Sequence, residues 1–190
     1  MSAAAIVLAA GASRRLGRPK QNIVLADETL LHRAVRVAQD AGLSPIIIVA
    51  REGSEYPQLT SSNALVIVTN QNADEGIASS IRCGVSEALR HPVLGVVILT
   101  CDQPELRAAH LRALIENPLR VTASAYGGSV GVPAYFPIAI LSRLLQLRGD
   151  TGARTLLKTA YAIEAEELNL DIDTERDLDI ARSLLERPQD

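Results

Sequence analysis

Arg14, Arg15, Arg18 and Lys20 stand close together near the start of the chain, with Gly11 and Gly17 among them and no acid before Asp27. An apolar run, residues 3–8, comes directly before them and reads as a buried strand. A strand that opens into a glycine-containing cationic loop suits a polyanion. Glycine lets backbone N–H groups approach a ligand closely, and nested amides and cations hold phosphate charge. Nucleotide phosphates are therefore the expected ligand, although charge alone equally fits a solvated basic loop. The spacing is not that of a P-loop, which has four residues between its glycines and Lys-Ser/Thr after the second. Here five residues intervene and Arg18-Pro19 follow Gly17. The dinucleotide pattern G-x-G-x-x-G is absent from the loop as well.

A second position with chemical potential lies at residues 93–101, an apolar run that ends in Asp102-Gln103-Pro104. A carboxylate at the carboxyl end of a central strand, beside a basic loop, suits a Mg²⁺–triphosphate site. Mg²⁺ typically takes one or two protein carboxylates and fills its shell with water and phosphate oxygens. Asp102 also fits a cap for a helix after Pro104. Cys101 reads as a small buried strand residue rather than a reactive thiol.

These positions must be held by alternating elements. Residues 46–50, 65–69 and 93–101 are continuous apolar, β-branched runs, the pattern of strands covered on both faces. Residues 121–126 read as a further strand. Helical spacing is predicted over residues 28–41, 76–90, 137–147, 153–161 and 174–186, and after Pro104 with Leu106, Leu111, Leu114 and Ile115. The alternation predicts a single-domain, Rossmann-like three-layer α/β fold with a mainly parallel sheet over residues 1–190. Ligands of such sheets sit at the carboxyl ends of the strands. The last four residues read as a frayed tail.

Composition narrows the function classes. The net charge is −3, so there is no general basic field and nucleic acid is not an expected partner. Aromatic residues make up only 3% of the chain, without Trp, so the core must be aliphatic. Cys83 and Cys101 form no disulfide framework or Cys-x-x-Cys pair, and His32, His91 and His110 lack metal-ligand spacing. The first apolar run is too short to span a membrane and lacks a basic n-region, so a cytoplasmic protein is expected.

Leu8-Ala9-Ala10-Gly11, followed by Ser13, Arg15, Gly17 and Lys20, resembles the signature of the MobA-like nucleotidyltransferases, with Leu16 in place of the usual Met. Asp102-Gln103-Pro104 resembles the metal-binding segment of the family's molybdenum cofactor cytidylyltransferase branch. Asn72, Glu75-Gly76 and Ser79-Ser80 resemble its stretch near base and ribose. Gly131-Val132-Pro133 resembles the segment lining the acceptor side, although a plain turn explains its composition too. Gly149-Asp150-Thr151-Gly152-Ala153-Arg154 resembles a stretch preceding a helix in the same branch. Asp171-Ile172-Asp173-Thr174, with Asp177, resembles a late motif of the family. The likeness runs from residue 3 to about residue 185.

The resemblance implies a Mg²⁺-dependent nucleotidyltransferase. It would move CMP from CTP to a phosphorylated small-molecule acceptor, molybdopterin or the molybdenum cofactor, with a molybdoenzyme as client. Arg15 and Lys20 carry over as triphosphate ligands, Asp102 as the metal ligand and Asp173 as a second one. Asp171 is the alternative second ligand, and Asp173 or Thr174 as a helix cap is the alternative use of that segment. Leu8, Ala9, Ala10, Gly11, Ala12, Ser13, Arg14, Gly17, Asn72, Gly76, Ser79 and Ser80 carry over as nucleotide-binding. Amides of residues 12–17 are expected around the β- and γ-phosphates, and Gly131 and Pro133 on the acceptor. Ala9-Ala10-Gly11 goes with cytidine in the family, whereas Ala-Gly-Gly goes with guanosine. The neighbours Ser129 and Val132 depart from the family's His or Arg, which leaves the acceptor open. The alternatives are a cytidylyltransferase of isoprenoid-precursor synthesis, with which Pro19-Lys20-Gln21 is shared, and a non-catalytic nucleotide- or cofactor-binding chaperone.

Overall fold

The computed structural model describes residues 2–13, 15–54, 56, 59, 62 and 64–185. Arg14 and the last four residues lie outside that range. Nine strands and six helices are described: β1 (Ala3–Ala9), β2 (Val24–Leu25), β3 (Glu28–Thr29), α1 (Leu30–Asp40), β4 (Ile46–Arg51), β5 (Leu65–Asn70), α2 (Ile77–Ala88), β6 (Gly95–Thr100), α3 (Ala108–Leu114), β7 (Thr122–Tyr126), β8 (Ser129–Pro137), α4 (Leu141–Leu144), α5 (Arg154–Leu157), β9 (Tyr161–Glu164) and α6 (Glu175–Leu185). Seven strands form one sheet in the order β5-β4-β1-β6-β8-β7-β9. β1 pairs in parallel with β4 and β6, and β8 runs antiparallel to both its neighbours.

The expected burial on both faces is realised at β1. Ala3, Ala5, Val7 and Ala9 enter the cluster shared with α1 and α3. Ala4, Ile6 and Leu8 enter the cluster shared with α2, α4 and α5. The side chains alternate between faces because strand periodicity is two, and both faces find helices. Three layers result. Gly84 lets α2 lie close to the sheet, because a Cβ there would overlap the Ile6 side chain and reach Val49 Cγ2 at 3.0 Å.

The sequence patterns differ from the structure where short strands interrupt helices or carry Gly and Pro. Residues 28–29 join a two-stranded hairpin with β2, so α1 begins at Leu30, where Thr29 Oγ1 accepts from the His32 amide at 3.1 Å. The helix expected after Pro104 begins only at Ala108. The helix expected over 153–161 stops after Leu157, and its end becomes β9, paired with β7.

Strand β8 covers the Gly131-Val132-Pro133 segment that reads as a turn. Ala123 pairs with Ala134 while Ser124 pairs with Gly131, so Val132 and Pro133 form a bulge opposite β7. A bulge tolerates proline, since no ladder N–H is required there. The bulge carbonyls find side chains instead: Ser124 Oγ donates to Pro133 O at 2.7 Å, and the Tyr126 hydroxyl donates to Val132 O at 2.6 Å.

A smaller cluster positions the late acidic motif. Ile172, Leu178 and Ala181 pack against Ile23, Leu25 and Leu30, which docks α6 on the hairpin. The Ile172 amide donates to Asp102 O at 2.9 Å. The segment carrying Asp171 and Asp173 is thereby tied to the end of β6.

Candidate active site

The parallel strands β1, β4 and β6 all end at one rim, and a cavity of about 480 Å³ opens there. Its wall includes Leu8 and Ala9 from the end of β1, Ala10, Gly11, Ala12 and Ser13 from the loop that follows, then Arg15 and Lys20. Gly76, Ile77 and Ser80 border it at the start of α2, and Asp102 and Asp173 complete one end. This is the rim at which open α/β sheets take ligands.

The loop after β1 shapes itself around Ser13. The amides of Leu16 and Gly17 donate to Ser13 O, at 3.2 and 3.1 Å, and the Lys20 amide donates to Ser13 Oγ at 3.0 Å. Gly17, at φ +66, turns the chain so that Lys20 re-enters the cavity wall. The structure corrects the expectation that every amide of residues 12–17 faces phosphate: those of Leu16 and Gly17 are already bonded within the loop. Arg18 faces away and pairs with Glu175 at 2.7 Å.

Lys20 is the centre of the charged end. Its Nζ lies 2.7 Å from Asp102 Oδ2 and 2.7 Å from Asp173 Oδ1, and Arg15 Nη2 lies 2.6 Å from Asp173 Oδ2. The Lys20 side chain is 16% exposed, against 71% for Arg15, so Lys20 sits within the wall and Arg15 on the rim. Burial works against the Lys20 charge, but Asp102 and Asp173 outweigh it and raise the ammonium pKa above its ordinary value. Asp171, exposed as a residue, has its carboxyl pushed up to about 6, first by desolvation and then by repulsion from Asp102 and Asp173. Cys101, directly before Asp102, is buried and its thiol is pushed up to about 12 by that burial. It is therefore neutral, as expected of a strand residue.

These contacts separate the helix caps from the cavity residues. Asp102 does not cap α3, whose N-cap is Arg107 with no side-chain bond. Thr174 and Asp177 cap α6 reciprocally: Asp177 Oδ2 accepts from the Thr174 amide at 2.8 Å, and Thr174 Oγ1 accepts from the Asp177 amide at 3.3 Å. That frees the Asp173 carboxylate for Lys20 and Arg15. Asp102 Oδ1 is buried and has no hydrogen-bond partner among the described residues. A bare buried carboxylate oxygen is costly, and a divalent cation is a group that would satisfy it. Two carboxylates, without a third His, Cys, Asp or Glu among the described residues to close a cage, fit an oxygen-seeking ion that shares its shell with phosphate.

At the other end, Asn70 is buried and its Nδ2 donates to Ser79 Oγ and Ser80 Oγ, at 2.8 and 3.0 Å. Ser79 Oγ in turn donates to Gly76 O at 2.8 Å. These bonds fix the first turn of α2 and bring Ser80 and Gly76 to the wall. Ser79, which is buried, and Asn72, which is exposed, are not part of the lining. Gly76 has φ +101, and a Cβ there would overlap the Asp150 carboxylate and stand 2.8 Å from Gly149 C. The Ala78 amide donates to Gly149 O at 3.1 Å, which seats the 149–152 loop on α2. Gly76→Ala is expected to destabilise the protein by about 1–3 kcal/mol through backbone strain alone, and to weaken triphosphate binding as the loop is displaced. An unchanged melting temperature and unchanged triphosphate affinity would contradict that seating.

Gly131 and Pro133 do not border the cavity. A Cβ on Gly131 would meet the Tyr126 hydroxyl at 2.7 Å, so its lack of a side chain serves packing. Their segment reaches the charged end through Gln103, whose Nε2 donates to Val132 O, Leu168 O and Tyr126 Oη at 3.3, 3.2 and 3.1 Å. Arg51, outside every motif of the sequence, also lines the cavity, and Gln21, Asp74 and Asp150 join it from motifs that carried no site role for them. Arg51 and Asp74 are ion-paired at 2.6 Å. Arg51 ends β4 at the ligand-binding rim, a signal available from the strand pattern.

Residues 5–167 match the MobA-like NTP transferase domain. A curated relative, purine catabolism protein PucB of Bacillus subtilis, is 31% identical over 93% of this chain and 94% of its own. A second, named "Probable molybdenum cofactor guanylyltransferase", from Opitutus terrae, is 34% identical over 84% of this chain and 78% of its own. Among solved structures, Rv0371c of Mycobacterium tuberculosis superposes with a TM-score of 0.80 at 28% identity, covering 96% of this chain and 99% of that one. A further structure of Rv0371c, described as a complex with manganese, gives a TM-score of 0.74 at 26% identity, covering 96% of this chain and 100% of that one.

Proposed function

The chain belongs to the MobA-like NTP transferase family and is a nucleotidyltransferase, and on that premise we propose that it transfers CMP from CTP to a phosphorylated small-molecule acceptor, molybdopterin or the molybdenum cofactor. Residues 1–190 act as one nucleotidyltransferase domain in this reading. The observation that carries it is that one cavity joins Lys20, Arg15, Asp102 and Asp173 to the glycine-containing loop.

In the proposed reaction an acceptor phosphate oxygen attacks the α-phosphorus, and the bond to the bridging oxygen breaks to release pyrophosphate. A phosphate nucleophile is already ionised near neutral pH, so the protein needs no general base. Its work is in-line positioning and neutralisation of charge on the leaving group. Lys20 and Arg15 bind the β- and γ-phosphates, with amides from residues 11–13 beside them. Asp102 and Asp173 would hold Mg²⁺, which when bound supplies charge neutralisation at the α-phosphate. The bare Asp102 Oδ1 and the manganese described in the Rv0371c structure support a divalent ion. Gly131 and Pro133, reached through Gln103, back the acceptor side. The Opitutus terrae relative, named a probable molybdenum cofactor guanylyltransferase, supports the molybdenum cofactor as acceptor, and its name sets guanylyl against cytidylyl transfer as the alternative to test.

Ala10 favours cytidine in this reading. It is buried and lines the cavity, so in this reading its methyl group takes space beside the base. CTP is expected to be used better than GTP by tens-fold, since one methyl-sized contact discriminates by about 1–3 kcal/mol. Pyrophosphate release is measured with each triphosphate and molybdopterin. Ala10→Gly should narrow the ratio. Equal or better use of GTP by the wild type would refute cytidylyl transfer, and no release with either would favour a nucleotide-binding chaperone.

A further inference from the structure

We propose that Lys20 holds the metal's place in the nucleotide-free protein, and that a divalent cation enters between Asp102 and Asp173 only as an arriving triphosphate draws the Lys20 ammonium away. The proposal rests on the nucleotidyl-transfer reading for the identity of the triphosphate. Its geometry stands on the contacts of Lys20 and Arg15 with Asp102 and Asp173.

One ammonium bridges both carboxylates, at 2.7 Å to each. Arg15 takes the remaining oxygen of Asp173 at 2.6 Å. Three of the four carboxylate oxygens therefore already face a side-chain cation, and only Asp102 Oδ1 is bare. Lys20 and Arg15 match Asp102 and Asp173 charge for charge, and Asp171 lies close enough to feel both carboxylates and Lys20. A divalent ion added to this cluster would stand a few ångströms from the Lys20 ammonium, in a setting with Lys20 only 16% exposed. Like charges at such separations repel near a protein surface, and the repulsion is twice as large for a divalent ion as for a monovalent one. The metal alone is therefore opposed by the residue that stabilises its ligands.

A triphosphate changes the balance. Lys20 and Arg15 line the same cavity as the loop after β1, so phosphate oxygens entering there compete with Asp102 and Asp173 for both cations. As Lys20 moves to phosphate, the two carboxylates lose their partner and bind the metal that accompanies the nucleotide. Metal and triphosphate then assist each other's binding, and the coupling passes through Lys20 in both directions. An ordered entry follows, in which the resting protein does not sequester free divalent ions.

The test uses Mn²⁺ alone, read by the paramagnetic resonance signal of the free ion, on nucleotide-free protein. Wild type should bind Mn²⁺ weakly, and Lys20→Met should bind it about tenfold more tightly or better, the scale on which close charge pairs couple. Mn²⁺ should also raise the melting temperature of Lys20→Met more than that of the wild type. Equal or weaker Mn²⁺ binding by Lys20→Met would overturn the exchange, because Lys20 would then be assisting the metal or ignoring it. Should Lys20→Met fail to fold, Lys20→Gln, which removes the charge and keeps a donor, carries the same comparison with the same two outcomes. Pyrophosphate release by the wild type tests the transfer reading separately, so either can fail while the other stands.

Discussion

Asp102→Asn is expected to lower turnover by about 10²-fold or more while leaving the fold intact, the scale seen when one preorganised electrostatic contact is removed from an active site. Asp102 stands just past β6, at the carboxyl end of a strand buried on both faces, so its position is set by the core rather than by the loop. Asn keeps the shape and an acceptor for Lys20, and Asp173 still holds the ammonium on its other side. What disappears is the negative charge that would bind a divalent ion beside the α-phosphate. The loss should therefore appear in turnover more than in stability, and raising Mg²⁺ should restore only part of it. Steady-state pyrophosphate release over a Mg²⁺ series checks this. Near wild-type turnover by Asp102→Asn at low Mg²⁺ would refute the role.

The parts of this site that were legible in the sequence share a physical cause. β1 and β6 are continuous apolar runs because each is covered on both faces, and a continuous run followed by Gly or Asp marks the rim of a parallel sheet. The same pattern places the loop of residues 11–20 and Asp102 at one rim. Asp173 is less legible, because an acidic residue before a helix is usually a cap. Only the reciprocal Thr174–Asp177 bonds show that the cap is provided for, leaving Asp173 to Lys20 and Arg15.

The illegible parts depend on long-range pairing. β8 carries Gly131 and Pro133, local turn signals, yet lies between β6 and β7 because its bulge removes the need for a proline donor. β9 continues from a helical pattern, and what makes it a strand is the free edge of β7. Asp150 reaches the cavity because Gly76 has no side chain to keep the 149–152 loop away. No local spacing encodes that approach of two loops from distant parts of the chain.

Lys20→Ala is expected to weaken triphosphate binding and slow transfer together, by about 2–5 kcal/mol in affinity if the ammonium meets phosphate within the wall of the cavity. That is the range for truncating one partner of a desolvated charge pair. The geometry makes the effect two-sided. The substitution removes a phosphate ligand, and it also leaves Asp102 and Asp173 facing the cavity with only the exposed Arg15 for compensation. Those uncompensated carboxylates repel an incoming triphosphate, so the loss in metal-free affinity should exceed that of a simple neutral deletion. With Mn²⁺ present the same carboxylates attract the ion, and part of the lost affinity should return. Calorimetry of CTP with and without Mn²⁺ separates the two contributions. A solvated basic loop predicts unchanged affinity in both arms, and a purely structural Lys20 predicts a lower melting temperature with CTP affinity preserved in the folded fraction. Neither pattern is compatible with an ammonium that leaves two carboxylates to bind phosphate.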